Sequence, residues 1–110
     1  MPEVAEIETL ELKQRLDRGE RLSILDVREP EEFAGELGHI RGSVLIPLRS
    51  LPSRAAELNN HKGDEIVVVC RAGVRSATAA SILSALGFER AGNLKGGMLE
   101  WNEAHLPVER

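Results

Sequence analysis

Cys70 is the only cysteine in the chain, and arginines follow it at positions 71 and 75. A thiol is a weak nucleophile near neutral pH. The thiolate is the reacting species, and neighbouring cations or a helix N-terminus favour it. Both are expected here. The six-residue loop Cys70-Arg71-Ala72-Gly73-Val74-Arg75 is rich in small side chains, so its backbone N–H groups can converge on a bound anion while Arg71 or Arg75 supplies counter-charge. Ser76 comes next, placed to hydrogen-bond the Cys70 sulfur, to cap the following helix, or both. A free cysteine that ends a core strand is often inert; the two arginines argue for a reactive one. Electrostatics alone therefore selects a thiolate and an anionic substrate, and leaves phosphate and sulfur chemistry both open. With one cysteine there is no intrachain disulfide and no Cys-x-x-Cys pair, so an outside molecule must remove whatever forms on Cys70.

The flanking sequence supplies the elements that must hold this loop. Ile66-Val67-Val68-Val69 is an unbroken β-branched run, suited to a strand buried on both faces of a parallel sheet. After the loop, Ala79, Ile82, Leu83 and Leu86 recur at helical spacing and Gly87 stands where the helix should end. Cys70 thus falls where a strand hands over to a helix, at the carboxyl end where parallel sheets bind ligands. Elsewhere, Ile7 to Thr9 reads as an entry segment, with Thr9 capping a helix from Leu10 to Asp17. Leu22 to Val27 reads as a strand, and Pro30 opens a short helix through Ala34. Ser43 to Ile46 is a second short strand, and Ser50 or Ser53 caps a helix reaching Leu58. Asn59 to Asp64 is a polar loop, Phe88 to Ala91 a final strand, and Gly96-Gly97 a turn into a helix carrying Trp101. Short strands alternating with helices predict an α/β domain with a mostly parallel sheet and helices on both faces.

Composition bounds the rest. A length of 110 residues suits one domain. A net charge of −4 argues against wholesale binding to nucleic acid or anionic membrane. The acidic start lacks the basic and apolar regions of a secretion signal, and no apolar run approaches the ~20 residues that span a bilayer. A reducing cytoplasm is the expected compartment. His39, His61 and His105 are far apart with no zinc-ligand spacing, so neither a metal site nor a cofactor is expected.

The four residues between Cys70 and Arg75 give a Cys-x4-Arg loop, and here the chain resembles the rhodanese family of sulfurtransferases. Cys70 to Ser76 matches a common form of its active-site loop, Cys-Arg-x-Gly-x-Arg-Ser. Asp26-Val27-Arg28 with Glu32-Phe33 resembles the family's first signature, and Gly38-His39-Ile40-Arg41-Gly42-Ser43 its second, with serine where alanine is usual. Leu94-Lys95-Gly96-Gly97, Trp101 and Leu106-Pro107-Val108 resemble its C-terminal signature, with His105 where a glycine is common. A related fold carries a loop one residue longer, sized for phosphate or arsenate, in dual-specificity phosphatases and some arsenate reductases. The resemblance implies one rhodanese domain over residues 1–110, a three-layer α/β/α fold around a sheet of about five strands. It implies sulfur transfer from a donor such as thiosulfate, through a persulfide on Cys70, to cyanide, a thiol or a sulfur-carrier protein. Arg71, Ala72, Gly73, Val74, Arg75 and Ser76 would bind the substrate. A relay module with slow small-molecule turnover is the alternative, and a phosphatase or arsenate reductase a weaker one.

Several other residues are expected to be structural. Asp26 and Arg28 pair with each other at a strand end, and Arg28 with Glu32 at the surface. His39 holds a glycine turn, Trp101 is core, and Arg41 and Lys95 could add to a positive rim around the site.

Overall fold

A computed structural model describes residues 4–110. Five parallel strands form one sheet in the order β1-β5-β4-β2-β3: β1 (Ala5–Ile7), β2 (Leu22–Asp26), β3 (Val44–Leu45), β4 (Glu65–Val69) and β5 (Ala91–Leu94). β4 is central, as its β-branched run requires. Ile66 and Val68, with Cys70 beyond them, face a core built with Leu83, Phe88 and Leu51. Val67 and Val69 face the opposite core of Leu12, Leu94, Met98 and Trp101. The period-two alternation of a strand thus divides one apolar run between two cores.

Helices cover both faces. α1 (Thr9–Asp17) and α5 (Gly97–Glu103) lie over the Val67 side, while α3 (Leu51–Arg54) and α4 (Val74–Ala85) lie over the Ile66 side. α2 (Pro30–Phe33) is a single turn started by Pro30, with Glu29 and Glu32 closing a reciprocal capping box. The expected α/β architecture with helices on both sheet faces is what the chain adopts.

Local boundaries differ in instructive ways. Ile7 belongs to an edge strand rather than to a bare entry segment, pairing with Leu94. Thr9 is the first residue of α1 and does not cap it. Glu8 takes the cap position without a side-chain bond, and the Thr9 hydroxyl is buried with no partner. Ser50 precedes α3 but makes no capping bond either, and 3₁₀ turns carry the chain from Ala55 to His61, into the expected polar loop. The last strand is Ala91–Leu94, not Phe88 to Ala91. Phe88 is apolar because it plugs the core under the end of α4, where Gly87 takes φ 95° and the Phe88 N–H bonds the Leu83 carbonyl. The true strand reads Ala-Gly-Asn-Leu, a sequence of low strand propensity. Its Gly92 and Asn93 are there for neighbours: a Cβ on Gly92 would press on the Ala5 carbonyl at 3.2 Å.

Candidate active site

β4 ends at Val69 and α4 begins at Val74, so Cys70 to Gly73 make the turn between them. Gly73 permits it by taking φ 105°, which side-chain-bearing residues rarely adopt. The Cys70 sulfur is buried at the floor of this turn. The Gly73 N–H donates to Sγ at 3.1 Å, and the Ser76 hydroxyl lies 3.2 Å from it. Burial pushes the thiol's pKa up. The Ser76 hydroxyl and the backbone N–H groups of Ser76, Gly73 and Ala72 outweigh that, and the net displacement is downward. The thiolate is therefore favoured by converging N–H donors more than by full cationic charges, a sharper account than the two arginines alone suggest.

The two arginines turn out to be unlike. Arg75 makes a forked ion pair with Glu32, Nη1 to Oε1 at 2.7 Å and Nη2 to Oε2 at 2.9 Å. That pair holds the Glu32 carboxyl down at about 2 and raises Arg75. Arg71 is exposed and has no carboxylate partner among the described residues. The loop thus presents one uncommitted cation beside one that is already matched.

Glu32 corrects the expected pairing of Arg28. Arg28 is buried and forks onto Asp26, with Nε 2.9 Å from Oδ1 and Nη2 2.8 Å from Oδ2. It also donates to the carbonyls of Gly38 and Glu32. It therefore grips the backbone of Glu32 and leaves its carboxylate to Arg75. The expected Asp26–Arg28 pair is present, but as a buried brace between the end of β2, α2 and the Gly38 turn. Its value is geometric, since burying an ion pair costs much of what it returns.

Behind the loop, α5 explains the Gly96-Gly97 signature. The N–H groups of Met98 and Leu99 donate to the carbonyls of Cys70 and Arg71 at 2.9 and 3.0 Å. A Cβ on Gly97 would collide with both carbonyl oxygens, lying 2.6 Å from that of Arg71. Only glycine allows this approach. Holding the carbonyls at the back leaves the loop's N–H groups to face the sulfur.

Asn93 is the residue that sequence reasoning missed. It is buried at the end of β5, accepts from the Ser76 hydroxyl, and donates to the Gly73 carbonyl at 3.1 Å. The one signal in the sequence is a polar residue directly before the Leu94-Lys95-Gly96-Gly97 signature, beyond the expected strand end at Ala91. Ser76 does not cap α4; its hydroxyl serves Cys70 and Asn93 instead. Ala72 and Val74 are exposed at the mouth of the loop, Val74 to 76%.

The remaining candidates are structural. The His39 ring stacks on Phe33 with centroids 3.6 Å apart and its Nδ1 meets the Phe33 carbonyl. Trp101 is buried and donates to the Pro107 carbonyl. His105 keeps the left-handed turn, φ 57°, that a glycine would take more easily. Arg41 reaches toward Glu109 and Lys95 toward Glu8, not toward the thiol. No group of histidine, cysteine, aspartate and glutamate among the described residues is arranged to hold a metal ion. No helix among them is long and apolar enough to cross a membrane.

The chain is therefore a parallel α/β domain with a cysteine cradled between its central strand, β4, and the start of α4. Residues 8–104 match the family model described as a rhodanese-like domain, and the chain belongs to that family. A protein of Allochromatium vinosum named "Sulfurtransferase" is 35% identical, over 96% of this chain and 94% of its own length. "Putative sulfur carrier protein YrkF" of Bacillus subtilis is 44% identical over 89% of this chain, which spans only 51% of that relative. Among solved structures, a rhodanese-like domain protein from Staphylococcus aureus superposes with a TM-score of 0.81 at 36% identity, covering 97% of this chain and all of its own.

Proposed function

We propose that this chain is a sulfurtransferase that carries sulfane sulfur on Cys70. The observation that carries the reading is the sulfur's position: buried at the floor of a six-residue loop, with N–H groups of Ala72, Gly73 and Ser76 and the Ser76 hydroxyl turned toward it. Relatives named as sulfurtransferases support it. In the first half-reaction the Cys70 thiolate attacks the outer sulfur of an anionic donor such as thiosulfate. The S–S bond of the donor breaks, sulfite leaves with the electron pair, and a Cys70 persulfide remains. In the second, cyanide or a thiol attacks the terminal sulfur and returns the Cys70 thiolate.

The loop N–H groups stabilise the persulfide anion as an oxyanion hole stabilises oxygen. Arg71 attracts the donor, and the rest of Cys70 to Ser76 shapes the cradle. Two separate half-reactions through a covalent intermediate imply ping-pong kinetics. Residues 1–110 act as one rhodanese domain in this reading, and a reducing compartment such as the cytoplasm suits it by supplying thiol acceptors.

Incubation with thiosulfate is expected to add one sulfur atom to the intact mass, removable by cyanide and absent in Cys70→Ser. Equal behaviour of the two proteins would sink the proposal.

A protein acceptor is the second reading, favoured by the exposed Val74 and Ala72 beside the thiol and by a relative named for sulfur carriage. It requires turnover with thiosulfate and cyanide to be far slower than with a carrier protein or cellular thiol. Efficient small-molecule turnover would remove it.

A further inference from the structure

The Ser76 hydroxyl carries one proton and stands between two acceptors. On one side is the Cys70 sulfur at 3.2 Å; on the other is Asn93 Oδ1 at 2.5 Å. All three groups are buried, so water cannot supply a missing partner cheaply. The Asn93 amide is not free to turn round. Its Nδ2 donates to the Gly73 carbonyl at 3.1 Å and to Glu6 Oε2 on β1 at 3.3 Å. Reversing the amide would set oxygen against those two oxygens. Asn93 therefore presents an acceptor, and only an acceptor, to Ser76.

This orientation decides what the Ser76 proton can do. With Cys70 as a thiol, the chain is satisfied throughout: S–H donates to Ser76 Oγ, whose O–H donates to Asn93 Oδ1. With Cys70 as a thiolate, sulfur and Asn93 both want the one proton. If it stays with Asn93, a hydroxyl lone pair faces the sulfur anion. If it swings to sulfur, two oxygens are left in contact at hydrogen-bond distance with nothing between them. Either way the anion gains less from the hydroxyl than it would without Asn93.

We infer that Asn93 is a positioning residue that competes with the Cys70 thiolate for the Ser76 proton, so that the thiol ionises less readily than it would with the hydroxyl free to donate to sulfur alone. The inference rests on Cys70 being the reacting group. The other charged groups around the loop are the Asp26–Arg28 pair at the end of β2, Glu32 on α2 with Arg75 on α4, Arg71 in the loop itself, and Glu6 on β1. Arg28 and Arg75 are each matched by a carboxylate, so they leave the hydroxyl's orientation as the adjustable contribution. A restrained thiolate is useful in a transfer reaction: a sulfur that ionises too readily is also a weaker nucleophile.

The test is the pH dependence of Cys70 alkylation by iodoacetamide, read by intact mass. This measures the thiol whether or not the protein transfers sulfur, so it can fail independently of the proposed function. Asn93→Ala is expected to lower the midpoint by about half a pH unit to one, the scale on which one hydrogen bond moves a titration. In a Ser76→Ala background the same substitution is expected to leave the midpoint where Ser76→Ala put it, because the effect runs through the hydroxyl. Mere loosening of the loop would weaken the Gly73 N–H bond to sulfur and raise the midpoint, the opposite sign. An unmoved or raised midpoint, or a fall that persists without Ser76, overturns the inference.

Should Asn93→Ala fail to fold by circular dichroism, Asn93→Leu decides, because leucine keeps the side-chain volume and removes the acceptor that faces Ser76. The midpoint is again expected to fall with Ser76 present and to hold still in its absence. A fall in both backgrounds does not run through the hydroxyl and counts against the inference, as does no fall in either.

Discussion

At the scale of single residues, the two arginines of the loop differ because of Glu32, which no reading of the loop alone could supply. Arg71 is the uncommitted cation, so Arg71→Ala is expected to raise KM for thiosulfate roughly tenfold, the worth of one charge-assisted contact, with kcat little changed. Arg75→Ala has a different cost. It leaves the Glu32 carboxylate bare beside the loop, where it repels an anionic donor. The expected result is a larger loss in kcat/KM than from Arg71→Ala, partly restored by adding Glu32→Gln. Steady-state kinetics on the three proteins checks both statements. If Arg75→Ala is the milder change, and Glu32→Gln restores nothing, the ion pair is not what separates the two arginines.

At the scale of elements, the loop is held from behind as well as in front. Gly97→Ala would drive a methyl group into the Cys70 and Arg71 carbonyls at a position whose φ is also left-handed. A loss of about 3 kcal/mol of stability is expected, with sulfur loading slowed in whatever folds. Urea titration and intact mass read the two effects, and a loss under about 1 kcal/mol would mean that α5 can retreat. This contact also marks the limit of sequence reasoning. Cys70 to Ser76 was legible because strand pattern, helix pattern and loop composition met at one place. The Glu32–Arg75 pairing and the role of Asn93 were not, because the partners lie 43 and 17 positions apart and the elements that carry them give weak local signals. α2 is one turn long, and β5 is made of residues that strands usually avoid. β5 breaks its own propensity rule where Asn93 reaches the Cys70 loop, so contacts to that loop override local preference there.

At the scale of the molecule, long-range ion pairs tie the layers together. Arg15 on α1 forks onto Glu65 at the start of β4, and Arg75 on α4 onto Glu32 on α2. Both carboxyls are lowered, each chiefly by the hydrogen bonds of its arginine, and Glu32 falls to about 2. A carboxyl that is depressed on folding adds stability above its ordinary value and loses it as pH falls toward its folded value. Stability in urea is therefore expected to be flat down to about pH 5 and to fall steadily below 4.5. Glu32→Gln should remove part of that slope and Glu32→Gln/Glu65→Gln more. Glu20 and Glu57 are lowered as well, but they are exposed and screened, so they contribute little. A slope unchanged in the double variant would place the acid sensitivity elsewhere.

The order of the chain adds one more consequence of the way α5 grips the loop. A growing polypeptide extrudes Cys70 to Ser76 before the residues that hang the Cys70 and Arg71 carbonyls have been made. Until Met98 and Leu99 emerge, those two carbonyls lack the N–H donors that hold them in the finished fold. The backing of the loop thus arrives late, and a product of premature termination before Gly96 would carry Cys70 on a loop that α5 does not hold.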